Sequence, residues 1–445
     1  MTEILSYILG FLVLIMVITA VHEAGHFYIA KLFKVKILDF SIGMGKSIKS
    51  WIGKDDTSYN IRLLPIGGYV KMLGEDILEE NNSSDNASFA SKKYYQKVLI
   101  LFAGPFANFL LAILIFTILN LFGTTALSSK VGYILPGSQA SIANFQEGDI
   151  IQKVDGKDVE SRADVQMLLS RRLGDTGIIN FSVNSEGINM EKMIPIQNWL
   201  INEEPKDLLA DLGIGVPISS EIGDVIENSP ASDAGLLPGD VIKLINSKKI
   251  SSWGEIKDEI TNSMGMPLEV SIIRNGEEIS KSIIPRFSES GWIIGISSAN
   301  RISEDALFFK SYALHSAFTN AVIKTYSTIR DSFTFLYKML TGYVSPKNLG
   351  GPVMIGQFAG DTLLYGGIYS FLMLMSFVSI GLGVINLVPI PILDGGQICL
   401  LTIEKIKGSP LSPKTLDFVY RAGLSMVIFL MIFVFINDIS RLSGA

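Results

Sequence analysis

Four runs of this chain are apolar for long enough to suggest membrane spans, which take about 20 helical residues each. They read as Ile4–Ala30, Val98–Phe122, Gly367–Val388 and Leu424–Ile436, the last of them short. Between the first two, Val35–Ile42, Tyr59–Leu64 and Gly68–Met72 predict short strands, separated by glycines and a proline. From Gly74 to Ser91 the chain turns polar (EENNSSDNAS), which predicts a surface loop.

The long segment between the second and third runs repeats itself. Val131-Gly132 through Gly137-Ser138-Gln139-Ala140 aligns with Ile222-Gly223 through Asn228-Ser229-Pro230-Ala231, an offset of 222 − 131 = 91. At the same offset Gly148-Asp149-Ile150-Ile151 meets Gly239-Asp240-Val241-Ile242. Such a match predicts two copies of one domain of about 90 residues, each alternating β-type runs with a helical stretch. Those stretches are Ala163–Ser170 and Trp253–Glu259. Beyond the repeat, Ala306–Leu340 is apolar but interrupted by Lys310, Lys324, Arg330, Asp331 and Lys338. It predicts an amphipathic helix on the outer membrane surface, with His315 as an ordinary interfacial residue.

Composition agrees with an integral membrane protein that carries sizeable water-exposed parts. The 445 residues are 48% hydrophobic and 18% charged, with mean hydropathy +0.38. A formal net charge of −6 gives no footprint for nucleic acid. The single cysteine, Cys399, excludes an internal disulfide framework. The first run has Glu3 but no Lys or Arg ahead of it, so it reads as a retained helix and not a cleaved signal. Basic residues crowd between the first two runs, from Lys31 to Lys97, and between the last two, at Lys405, Lys407, Lys414 and Arg421. The positive-inside rule makes both of those loops cytoplasmic and places residues from about 123 to 366 outside.

Two stretches carry chemistry. His22-Glu23-Ala24-Gly25-His26 ends the first apolar run. Residues four apart share a helical face, so two imidazoles converge on one zinc ion with the glutamate beside its water as general base. Two of the three histidines fall in this pentapeptide, at membrane depth, where an ionisable side chain costs about 2.5–3.5 kcal/mol. The second stretch, Asn386-Leu387-Val388-Pro389-Ile390-Pro391-Ile392-Leu393-Asp394-Gly395-Gly396, closes the third run. Its two prolines end the helix, and irregular backbone at that depth lines a cavity or is buried in protein. A catalytic zinc keeps three protein ligands, and Asp394 is the evident third. The alternative for Asp394 is a simple helix-ending turn. Gly68–Met72 is apolar and near the membrane face, either as part of a sheet that only packs or as an edge that pairs with an unwound substrate.

HEAGH, AGPFANF and NLVPIPILDGG together resemble the site-2 protease family of intramembrane zinc metalloproteases. NSPA and AGLLPGDVI in the second repeat resemble a bacterial, circularly permuted PDZ domain, and the first copy is a weaker match. IGGYVKM and the tandem PDZ-like copies narrow the resemblance to the Gram-negative branch acting in the sigma-E stress response. It covers nearly the whole chain, with Gln397 standing where the family frequently has histidine.

The resemblance implies Zn2+ held by His22, His26 and Asp394, Glu23 as base, and peptide hydrolysis inside the membrane. Asn386 and the edge Gly68, Tyr69, Val70, Lys71 and Met72 are expected to hold the substrate backbone. Expected partners are the lipid bilayer and single-span substrates, namely a pre-trimmed anti-sigma factor stub and remnant signal peptides. The expected location is the bacterial inner membrane, with the PDZ-like copies periplasmic and serving as a size filter.

The expected architecture is a multi-pass α-helical membrane protein with four transmembrane helices, a membrane-associated β region and two PDZ-like domains. It divides into 1–122 with HExxH and the β strands, 123–215 and 216–300 as the two PDZ-like copies, 301–366 as amphipathic surface helices, and 367–445 with LDGG. An inactive adaptor would not need Glu23, His22, His26 and Asp394 together. A conventional zincin would carry its HExxH in a soluble domain.

Overall fold

The computed structural model describes residues 2–75, 86–201, 203, 207–250, 252–288 and 291–443. Most of the polar loop expected from Gly74 to Ser91 is residues 76–85, outside that set. The chain forms two units, one of Met1–Thr124, Ser311–Met339 and Pro346–Ala445, the other of Thr125–Lys310 and Leu340–Ser345.

Among the described residues of the first unit, four helical segments are long and apolar enough to cross a membrane: Glu3–Leu32, Tyr94–Phe122, Pro352–Asn386 and Pro413–Arg441. Helix α1 (Thr2–Leu32) and helix α2 (Tyr94–Phe122) meet almost backbone to backbone. A Cβ on Gly25 would stand 2.3 Å from the carbonyl oxygen of Ala103, so only glycine permits this approach. Leu14, Ile18, Phe109, Ile115, Phe116, Met375, Ile380 and Val384 fill the space between α1, α2 and the third span.

The third span begins earlier than the hydropathy pattern predicts. Pro352–Asp361 is helical and runs through a π-helical turn at Thr362–Gly366 into Gly367–Asn386. Residues 352–366 are therefore not amphipathic surface helix. Gly356, Ala359 and Gly360 are buried, and Gly360 lies where a Cβ would strike Tyr7 of α1. The span stops at Asn386, short of Val388, because Pro389 and Pro391 cannot donate to a helix.

The fourth helix, Pro413–Ser443, is much longer than the expected Leu424–Ile436. Lys414, Asp417 and Arg421 break the apolar run without breaking the helix; Asp417 and Arg421 pair at i,i+4. The amphipathic stretch also begins later than Ala306: Leu307–Lys310 is a strand, and the helix is Leu314–Leu340.

Between α1 and α2 the three expected strands are two long ones, β1 (Ile37–Ile52) and β2 (Ser58–Met72). Each bends, so that residues 37–42 pair with 68–72 on one side and with 58–61 on the other. Residues 47–52 pair with 58–62 beyond them. Residues 68–72 thus form one edge of the sheet. Pro65 and the glycines at 67 and 68 mark bends within a strand, not its ends.

The second unit holds two four-stranded sheets of the same order. Lys157–Asp158, Ile150–Val154, Gly177–Ser185 and Ile188–Ile196 lie side by side in one. In the other the order is Lys248–Lys249, Val241–Ile245, Leu268–Arg274 and Glu277–Ile283. Each has one helix between its second and third strands in sequence, Arg162–Ser170 and Trp253–Asn262. Strands and helix start 91 residues apart at Ile150 and Val241, Arg162 and Trp253, and Gly177 and Leu268.

The repeated Gly-Asp is structural. Asp149 accepts the Gln146 N–H and pairs with Lys192, while Asp240 accepts the Leu237 N–H and pairs with Arg274. Each carboxylate closes a turn and leaves water with a cation at its side.

Candidate active site

Helical spacing puts His22 and His26 one turn apart on the buried face of α1, with Nε2 atoms 3.2 Å from each other. Asp394 reaches the same point from the helix Asp394–Lys407, which starts directly after the proline turn. Its carboxylate oxygens lie 3.3 Å from His22 Nε2 and 3.5 Å from His26 Nε2. A tetrahedral zinc with ligand bonds of about 2.0–2.1 Å has ligand–ligand edges of about 3.3 Å. The three donors therefore already have the spacing of one face of that tetrahedron.

The surroundings set the tautomers. His26 Nδ1–H donates to the Ile100 carbonyl at 2.8 Å, which leaves its Nε2 as a lone pair facing the other donors. Pro105 strips the Leu101 carbonyl of its helical donor, so α2 is loosened next to that contact. The side-chain amide of Asn108 lies 3.3 Å from His22 Nδ1, and its Oδ1 is a buried oxygen without a partner. With the amide oxygen turned to Nδ1–H, that oxygen is satisfied and His22 Nε2 too becomes a free lone pair. This donor set fits a zinc ion.

Gly104 makes the cluster possible. A Cβ there would stand 2.2 Å from His26 Nε2 and 2.8 Å from His22 Cε1. The glycines after Asp394 serve its approach, since a Cβ on Gly395 or Gly396 would collide with the carbonyls of Leu387 or Ile390.

A cavity of about 450 Å³ opens at these donors. Glu23 lines it, as do Asn386, Gly68, Tyr69, Val70 and Met72; Lys71 does not. Asn386 Nδ2 is 3.4 Å from His22 Nε2. Gly68 has no room for a side chain, because a Cβ would meet the Ser41 carbonyl at 2.7 Å and Glu23 Cγ at 3.0 Å. The strand edge thus passes directly beside Glu23, whose carboxylate is within hydrogen-bonding reach of the Val70 backbone.

Tyr69 is held from behind. Its hydroxyl donates to Asp39 at 2.7 Å, and Arg62 bonds Asp39, Ser41 and the Gly45 carbonyl. Burial, then Asp39, raises the Tyr69 phenol above its usual range. Sequence reasoning assigned no role to Gly104 or Asn108. An asparagine in the middle of an apolar helix was a signal; a glycine beside it was not.

The family model of peptidase family M50 matches residues 10–430. Protease RseP of Yersinia pestis is 33% identical over 99% of this chain and 100% of its own length. Regulator of sigma-E protease RseP of Escherichia coli K12 is 32% identical over 97% of this chain and 98% of its own. The regulator of sigma E protease of Haemophilus influenzae is also 32% identical, over 97% and 98%. Among solved structures, the PDZ domain of an SdrC-like protein from Listeria monocytogenes matches 18% of this chain and 85% of its own, at 23% identity and TM-score 0.17. The chain belongs to peptidase family M50 and is a metalloendopeptidase of the site-2 protease type.

Proposed function

We propose that this protein hydrolyses peptide bonds in single-span proteins within the membrane, with zinc held by His22, His26 and Asp394. The observation that carries the reading is the convergence of those three donors on one point beside a strand edge. A zinc ion bound there supplies Lewis acidity and a water acidic enough to ionise near neutral pH. Glu23 takes the proton from the attacking water and passes it to the leaving amine.

A transmembrane helix hides its carbonyls in its own hydrogen bonds, so the substrate must unwind before attack. The edge at residues 68–72 offers it strand pairing in exchange, with Asn386 holding the backbone near the metal centre. Tyr69, Val70 and Met72 are well placed for this. Lys71 has no place in the cavity lining and is left out of the contact set.

The relatives' names point to the sigma-E pathway, and the substrate class proposed is an anti-sigma factor stub already trimmed outside the membrane. Remnant signal peptides, as short single spans, are the second class. The protein is read as spanning the bacterial inner membrane four times, with two PDZ-like copies on the periplasmic side that exclude substrates with intact external domains.

Three measurements test this. Zinc content and cleavage of a purified single-span substrate are compared for wild type and Glu23→Gln. Zinc in both, with cleavage only in the wild type, is expected; zinc in neither overturns the metal assignment. Val70→Pro should reduce cleavage at unchanged zinc. Deletion of residues 125–298 should admit untrimmed substrate, and continued dependence on trimming would refute the filter.

A further inference from the structure

Two backbone donors on the outer edge of residues 68–72 face carboxylates of this chain. Along a strand successive N–H groups alternate in direction. Leu73 N–H points inward, to the Lys36 carbonyl at 2.9 Å, so those of Met72 and Val70 point away from residues 37–42. Val70 meets Glu23. Met72 N–H donates to Glu75 Oε2 at 3.0 Å.

Glu75 is brought back over the edge by a tight turn. Its own N–H bonds the Met72 carbonyl at 3.3 Å, and Gly74 turns the chain at φ +68°. A Cβ at Gly74 would also lie 1.9 Å from Ser88 Oγ, so the turn is fixed by sterics as well as by φ. The Glu75 side chain lines the same cavity as His22 and Asp394.

We infer that Glu75 is a latch that pairs with the substrate strand's docking edge while no substrate is there. An extended substrate adding to this edge must place a backbone carbonyl on Met72 N–H, where the carboxylate now sits. A vacant edge inside a cavity would otherwise leave a donor unsatisfied, and a charged acceptor binds it more strongly than a peptide carbonyl does. Substrate therefore competes with Glu75, and its apparent affinity is lowered by the fraction of molecules with the latch closed. The carboxylate favours substrates that bring a long unwound segment, because several new strand bonds outweigh the one displaced. This inference rests on the reading of residues 68–72 as the substrate-pairing strand.

The test uses the full-length, zinc-loaded chain with Glu23→Gln, which binds without cutting. The probe is a dye-labelled single-span Leu/Ala peptide with a central Gly-Ser pair, in detergent. Adding Glu75→Ala should tighten its Kd by about threefold or more, with Glu75→Gln in between, at unchanged zinc content. In the otherwise wild-type enzyme, Glu75→Ala should lower KM while kcat stays within about twofold. Unchanged or weaker binding in Glu75→Ala, with Val70→Pro still impairing binding, would overturn the latch alone. Binding indifferent to Val70→Pro would overturn the strand reading and the latch with it. If Glu75→Ala loses zinc, the isosteric Glu75→Gln decides by the same criterion.

Discussion

Asn108 of α2 sets its side-chain amide 3.3 Å from Nδ1 of His22, from inside an otherwise apolar helix. Its own backbone carbonyl accepts the Ser379 hydroxyl at 2.9 Å, so α2 is tied at that residue to both the first and the third span. A polar group this deep has a partner in the His22 imidazole.

Replacing Asn108 by alanine should therefore weaken zinc binding by about 10–100-fold, the usual cost of losing such a partner. Asn108→Asp, which keeps an acceptor for Nδ1–H, should recover part of it. Competition against a zinc chelator measures both.

Gly104→Ala tests the space left for the two imidazoles. Alanine is the better helix former, so α2 should persist. The added methyl cannot coexist with His26 Nε2 at 2.2 Å, and one or both rings must rotate away. The expected variant has wild-type helix content by circular dichroism, little zinc and no cleavage.

Asp438 near the end of the fourth helix caps the start of the third span. Its carboxylate accepts the N–H groups of Gly351, Val353 and Met354 at 3.0, 2.9 and 3.1 Å, while being buried. These are donors that a helix start leaves orphaned, and no water replaces the acceptor there. Asp438→Ala should cost about 1–3 kcal/mol, read as a lowered thermal midpoint in detergent, with Asp438→Asn in between.

Acid should loosen the second four-stranded sheet of the second unit through Asp240. Burial raises this carboxyl, but the Arg274 fork and the Leu237 N–H outweigh it and hold the group below its ordinary value. A depressed folded pKa contributes stability above the unfolded value of about 3.9, and that stability is lost as pH falls through the folded pKa. Hydrogen-exchange protection of Val241–Ile245 and Leu268–Arg274 should hold at neutral pH and drop below about pH 4. Asp240→Asn should show a smaller drop, from a lower starting level.

Much of this arrangement was legible because its causes are local. The spacing of His22 and His26 follows from helix geometry alone, and two prolines stop the third span wherever it packs. The repeat was legible as an offset and persists in the strand starts. Other features depend on distant partners. Pro65 and Gly67 look like strand ends but are bends in a strand that pairs on both sides of residues 37–42. Residues 352–366 read as surface helix because Gly356 and Gly360 add little hydropathy, yet the smallness of Gly360 is what lets Tyr7 of α1 pack there. Nothing in the order of residues announces that Glu75 folds back onto Met72.

His22 and Asp394 are 394 − 22 = 372 positions apart, yet their donor atoms are neighbours. Synthesis must run past residue 394 before the third donor exists. A chain stopped before Asp394 carries Glu23 and both imidazoles but lacks the carboxylate that faces them. Assembly of the three-donor cluster is thereby tied to translation past residue 394, and a chain stopped short of it holds only half of the site.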